Sequence, residues 1–348
     1  MKPPIILYEP AKRARTDYRI SLSAWTDKSM LEEGHFYPYR TMTAEERLWW
    51  YAHFFDTVEV NSTFYAIPEV GTVTQWVART PPRFLFDVKA YGLLTGHHLD
   101  VARLSDELKR LLPATARRQA HGRIANAEFG PEARAWAFAA TRESLRPLRD
   151  PDKLGYVLFQ LAPWITRSDA ALATLARLPH ELPDTVLAVE FRHRSWFGEH
   201  TDDTLRFLRD HHLTYVSIDG PRSRATVPSL PALTTAEAVF RLHGRNFKGF
   251  LAQVQRKSPT VAEKYDYLYS ERELEEIARA AGALNGHAER VHLAMNNNRR
   301  DYPAINGMQL KEMLLEDWHP PDRQALVEEL QARRAAAKTK ARRSRRAA

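Results

Sequence analysis

The 348-residue chain contains no cysteine. Disulfides, thiolate nucleophiles and cysteine-based zinc sites are therefore excluded, and any metal would have to be held by His, Asp or Glu. No apolar run approaches the ~18 residues needed to span a bilayer, and the start of the chain offers only Ile5, Ile6 and Leu7 as a signal-like core. A cytoplasmic location with no membrane partner is expected. Glycine is scarce, at 14 residues, and none sits in a Walker loop, a dinucleotide-binding fingerprint or a nucleophile elbow; a zinc-protease signature is also missing. No cofactor is expected. Serine chemistry is a weak candidate, because Ser21, Ser23 and Ser217 have no identifiable base partner.

Acidic residues are absent from the end of the chain. Between Arg333 and Arg346 lie Arg333, Arg334, Lys338, Lys340, Arg342, Arg343, Arg345 and Arg346, which together equal the formal net charge of +8. The remainder is electrically balanced. Such a run reads first as a solvated, partly disordered tail; its alternative role is to bind nucleic acid or another polyanion by counterion release.

What is present is a chain with 44% hydrophobic residues, enough for a large core. Eight strand-like runs are expected, at 19–25, 57–61, 85–90, 156–161, 186–192, 214–219, 239–243 and 291–296. Amphipathic segments alternate with them. Capping boxes at Thr43/Glu46 and Ser270/Glu273 open two of these, and others cover 70–79, 131–146, 168–178, 202–211 and 304–315. Eight strands alternating with helices predict an α/β protein, a TIM-type (β/α)8 barrel in one domain over residues 18–318, with an open doubly wound sheet as the alternative. Residues 1–17 form an N-terminal extension, and 319–348 a C-terminal helix with the basic tail. Prolines 221, 228 and 231 argue against a helix after the sixth strand. The stretches 91–130, with Arg117, Arg118, His121 and Arg123, and 244–269 read as long loops, the second as a lid or binding loop.

The charges are distributed unevenly across the strand faces. Side chains two apart share a face, so one face collects Ser21/Ser23/Trp25, Glu59/Asn61, Asp87/Lys89, Gln160, Glu190/Arg192, Ser217/Asp219, Arg241/His243 and His292/Asn296. The other, with Ile20/Leu22, Val58/Val60, Phe86/Val88, Val189/Phe191, Val216/Ile218, Phe240/Leu242 and Leu293/Met295, suits burial under helices. A face so rich in ions belongs in a shared polar interior, since unpaired buried charge costs several kcal/mol. Its polar members gather toward the C-terminal strand ends, where barrel active sites form. The competing reading is an ion-pair network whose whole purpose is mutual neutralisation.

Lys89, Arg192, Arg241 and Arg245 suggest an anion site for a phosphorylated or carboxylated small molecule. Glu190 is the first candidate for general acid/base catalysis and Glu59 the second; Lys89 and Asp219 complete the candidate catalytic set. Asn61, Gln160, Asn246 and Asn296 would orient polar groups of the substrate. His243 adds a ring nitrogen, and Tyr65, Trp196, Tyr265 and Tyr269 would supply aromatic walls. A metal-dependent hydrolase or isomerase is the rival, with Glu190, Asp219 and His243 as ligands; Arg192 and Arg241 beside them argue against a bound cation, and no metal is expected. The histidine pairs 97/98 and 211/212 read as surface residues. From another class comes a nucleic-acid or polyanion binder using the tail and the loops 117–123 and 245–257.

TVEVNSTFYAIPEVGTVTQWVARTPPRFLFDVKA from Thr57, LGYVLFQLAP, AVEFRHRSWF, RLHGRN and the Asn296 to Asn298 run together resemble the domain of unknown function 72, or YecE-like, family. The series covers roughly residues 18 to 315. The resemblance implies a TIM-type barrel and supplies no reaction. Two departures stand out: Ser21-Leu-Ser-Ala-Trp25 replaces a glycine-containing first strand, and the loop after the third strand is longer and more basic.

Overall fold

Eight parallel strands succeed one another in chain order around a curled sheet: β1 (Asp17–Leu22), β2 (Thr57–Val60), β3 (Leu85–Lys89), β4 (Leu154–Gln160), β5 (Leu187–Glu190), β6 (Leu213–Asp219), β7 (Glu237–Leu242) and β8 (Arg290–Met295). The computed structural model describes residues 1–8, 15–117, 121–223, 226–255 and 264–347. β1 and β2 are the two edges, and side chains bridge them where no backbone ladder does. The Tyr51 hydroxyl accepts from the Leu22 N–H at 3.0 Å and donates to the Thr57 carbonyl at 2.7 Å. Asn61 Nδ2 donates to the Ser23 carbonyl at 3.0 Å, and Arg19 pairs with Asp56 at 3.3 Å. These contacts satisfy polar groups that an open edge would leave exposed. The protein is an α/β TIM-type barrel.

Helices cover the outside because their apolar stripes match the apolar strand face. The Thr43/Glu46 capping box forms and starts Ala44–Phe54, which buries Leu48, Trp50, Tyr51 and Phe54. The Ser270/Glu273 box starts Glu271–Gly282, which buries Leu274, Ile277, Ala280 and Ala281. Each large apolar side chain so removed from water contributes roughly 1.5–3 kcal/mol. The remaining expected helices form at Val70–Ala78, Pro131–Arg149, Asp169–Ala176, Thr201–Asp210 and Tyr302–Leu314. Among the described residues no helix is long and apolar enough to cross a membrane.

Three features depart from the sequence-based expectation. The stretch after β7 contains a helix, Phe247–Val254, before residues 256–263, which lie outside those described. After β6 no helix forms among the described residues, as the prolines require, but Ala232–Leu233 pairs in parallel with Ile5–Ile6 of the N-terminal extension, which the sequence did not suggest. On β6 the two faces are reversed: Val216 packs with Tyr156, Leu158, Ala188 and Val239, while Asp219 meets the loop residues Arg245 and Tyr269. This strand alternates like the others, but apolar fill inside the barrel outweighs the polarity of Ser217 and Asp219, which find partners outside it.

The C-terminal helix, Arg323–Ala347, docks through buried Leu326 and Leu330. Arg334 binds Glu46 at 2.6 and 2.9 Å, and Arg333 lies 4.6 Å over the Trp49 ring. The side chains of Lys340, Arg342, Arg343, Arg345 and Arg346 lie outside the described residues, as do those of Arg117, Arg118 and Lys257.

Candidate functional site

The strand alternation places Glu59 (β2), Lys89 (β3), Gln160 (β4), Glu190 (β5) and Arg241 (β7) in one network near the C-terminal ends of their strands. Arg241 is its hub and is buried to 1% exposure. Its Nε and Nη2 donate to the two oxygens of Glu59 at 2.8 and 2.6 Å, and Nη1 donates to Glu190 Oε2. Glu59 also accepts from the Tyr156 hydroxyl at 3.0 Å. Glu190 Oε1 accepts from Gln160 Nε2 at 2.7 Å and faces Arg192 Nη1 at 3.1 Å. Burial alone would raise both carboxyl pKa values, but Arg241, joined at Glu190 by Arg192, holds Glu59 below and Glu190 well below the ordinary range. Both remain ionised acceptors.

Two other groups, His243 and Lys89, are pushed toward their neutral forms. The Asn296 amide is oriented by Asn298, which donates to its oxygen at 3.2 Å, so its nitrogen donates to His243 Nδ1 at 2.7 Å. The neutral imidazole then carries its proton on Nε2, 3.5 Å from Glu190 Oε1 and without a hydrogen-bond partner. Burial pushes His243 down to about 4, so it is a neutral donor at physiological pH. Lys89 Nζ donates to Gln160 Oε1 at 2.9 Å and lies 4.5 Å over the Phe64 ring. Burial, reinforced by Arg241, pushes it down to about 7.

Beside this network a cavity of about 470 Å³ opens at the mouth, lined by His97, Gln160, Arg192, His243, Lys264 and Tyr265 among others. Burial would raise the Tyr265 phenol, but Arg192 and Lys264 bring it below its ordinary value. His97, expected on the surface, lines this cavity, bonds Thr95 at 2.8 Å and is pushed down to about 3 by burial, with Lys89 adding to the effect. His97 and Lys264 were not singled out from the sequence for this site. The only signal for Lys264 was its place in the long loop after β7; His97 gave none, because its neighbours come from other elements.

The remaining candidates lie elsewhere. Arg241 spends its donors on protein carboxylates. Asp219 binds Arg245 through two 2.8 Å bonds and accepts from the Tyr269 hydroxyl at 2.9 Å, so Asp219, Arg245 and Tyr269 form a separate cluster. Trp196 is fully buried, stacked 4.3 Å from Phe191, and donates to the Ile165 carbonyl. Tyr65 is 52% exposed under Arg103. Asn246 braces its own loop by donating to the Asp266 carbonyl and accepting from the Gly249 N–H. Asn61 bridges β2 to β1. Glu190 and His243 do meet, but Asp219 points away from them; among the described residues no three His, Asp or Glu side chains converge as metal ligands.

A nearly closed parallel sheet with a charged concavity at the C-terminal ends of its strands defines a TIM-barrel protein with an open cavity at its mouth. The chain belongs to the family described as protein of unknown function DUF72, whose model matches residues 19–331. It is 30% identical over 298 residues to UPF0759 protein YunF of Bacillus subtilis (strain 168), spanning 85% of this chain and 94% of that one. A DUF72 family protein of Thermotoga maritima is 27% identical with a TM-score of 0.67, covering 86% of this chain and 99% of that one. A DUF72 structure from Enterococcus faecalis is 22% identical with a TM-score of 0.68, covering 88% and 98%.

Proposed function

We propose that the protein is an enzyme acting on a small anionic substrate, phosphorylated or carboxylated, bound in the mouth cavity. The observation that carries this reading is the cavity's wall, where Arg192 and Lys264 offer positive charge beside Gln160 and His243. An anion would sit against Arg192 and Lys264. Glu190 was the first candidate acid/base from the sequence, but a carboxylate held this far below its ordinary pKa is a poor proton carrier at neutral pH. Lys89, at about 7, is the interior group whose pKa suits chemistry at neutral pH. Glu59 and Glu190 then serve to hold Arg241 and Arg192.

Thermal shift against inorganic phosphate, sugar phosphates, 2-oxo acids and dicarboxylates tests the reading, because a ligand of the native state raises apparent stability. One anion class is expected to raise the melting temperature, and Arg192→Ala to weaken that ligand about tenfold or more, the equivalent of one charge-assisted bond. Stabilisation by none of these anions would overturn it.

A further inference from the structure

We infer that Lys89 is a covalent site: its side-chain amine condenses with the carbonyl carbon of a small anionic aldehyde or ketone held in the mouth, forming an imine. The inference rests on the anionic-substrate reading above and narrows it to carbonyl compounds.

The nearby carboxylates are already engaged. Glu59 is taken by two bonds from Arg241 and one from Tyr156, and Glu190 by Arg241, Arg192 and Gln160. Lys89 Nζ is left with a neutral amide oxygen and a ring face, and among the described residues no carboxylate comes within ion-pairing distance of it. A lysine placed for structure alone would be expected to take a carboxylate or several carbonyls, as Lys153 does with the carbonyls of Val77 and Thr80 and the Thr80 hydroxyl. Instead the interior supplies two carboxylates at this level and gives both to arginines.

Position supports the same role. Gln160, which accepts from Lys89, lines the cavity, and Phe64, beneath the amine, meets cavity-lining His97 edge-on at 4.8 Å. The amine therefore sits one hydrogen bond behind the cavity wall, on Gln160, and His243 is among the residues lining the same cavity. Burial and the proximity of Arg241 keep much of the amine unprotonated near neutrality, the nucleophilic form.

The step balances without any other reactant. The amine nitrogen bonds to the carbonyl carbon while one N–H proton passes to the carbonyl oxygen, giving a carbinolamine. The hydroxyl then leaves with the second N–H proton as water, and the C=N bond forms. Protonation of that nitrogen gives an iminium that borohydride reduces to a stable secondary amine.

The test incubates the full-length protein separately with pyruvate, glyoxylate, dihydroxyacetone phosphate and glyceraldehyde 3-phosphate, adds borohydride, and maps adducts by mass spectrometry. One adduct per chain on Lys89 is expected with at least one compound, with labelling that rises through a midpoint near pH 7, and none at that position in Lys89→Arg. Gln160→Glu, which gives the amine a carboxylate partner, should cut labelling at pH 7 about fivefold for the first unit it raises the pKa and about tenfold for each further unit. Labelling no stronger at Lys89 than at surface lysines, or labelling that follows an ordinary lysine titration, overturns the inference. If anions stabilise the protein but no carbonyl compound is trapped, the imine fails and the anion site stands. If neither happens, both fail.

Discussion

The barrel encloses buried charge at both ends, and the two ends are built differently. At the base, His292 lies between Asp87 and Glu237, at 3.3 and 2.9 Å, and Arg290 donates to Glu237 at 2.9 Å. Burial would lower the His292 pKa, but the two carboxylates raise it to about 9, so it is a cation at neutral pH. At the mouth, Arg241 and Arg192 take the carboxylates and leave Lys89 and His243 tilted toward their neutral forms. Identical kinds of residue thus give a closed ion cluster at one end and poised neutral groups at the other. The difference lies in which cation reaches the carboxylate first. Ions matched within the cluster make a plug; groups left without a counter-ion beside a cavity are available for chemistry.

The strongest way to break the comparison is at the mouth's hub. Arg241→Met would leave buried Glu59 without a cation and Glu190 with Arg192 alone, and should cost about 3–5 kcal/mol in urea unfolding. A change under about 1 kcal/mol would show that the carboxylates take up protons or water at no cost, and that the network is not the electrostatic unit described.

A pH series sharpens the contrast. A histidine titrates near 6.5 in the unfolded chain and His292 near 9 in the barrel, so its contribution is full below about 6.5 and lost as pH rises through 9, by about 3 kcal/mol. Lys89 works in the opposite sense. Its pKa falls from about 10.4 unfolded to about 7 folded, so its penalty is present below 7 and fades as pH rises toward 10.4. Between pH 7 and 9 the two ends therefore oppose one another. Unfolding free energies should rise more steeply with pH in His292→Gln than in the parent, and fall more steeply in Lys89→Met; parallel curves would erase the distinction.

A smaller effect tests how the base was made to fit. The β3–β4 register shifts between Phe86 and Val88, and Gly155 lies at that irregularity with a Cβ position that would overlap Asp87 Oδ1. Gly155→Ala should destabilise by about 1–3 kcal/mol, as overpacking does, and Asp87→Ala should relieve part of that cost in a double-mutant cycle.

Much of this was readable from alternation. Glu59, Gln160, Glu190, Arg241, His243 and Asn296 were assigned together to an interior polar face near the strand ends, because side-chain direction along a strand is a local property. β6 was misread for the same reason: Ser217 and Asp219 alternate as cleanly as the others, and only the apolar cluster around Val216 reveals which side faces inward. His97 gave no local signal. The anion role given to Arg241 failed to anticipate that Glu59, 182 residues away in the chain, would occupy it.

The sequence by itself determined the eight strands, most of the helices, two capping boxes and the collection of charges along one strand face, since each follows from short-range periodicity and capping; it left a closed barrel and an open sheet as alternatives. The tertiary structure decided which carboxylate meets which cation, that Asp219 turns outward, and that His243 is neutral and Lys89 pushed down to about 7 at the mouth while His292 keeps its charge at the base. Those outcomes depend on burial and on distances of a few ångströms between residues far apart in the chain, and charge interactions in a low-dielectric interior depend steeply on both.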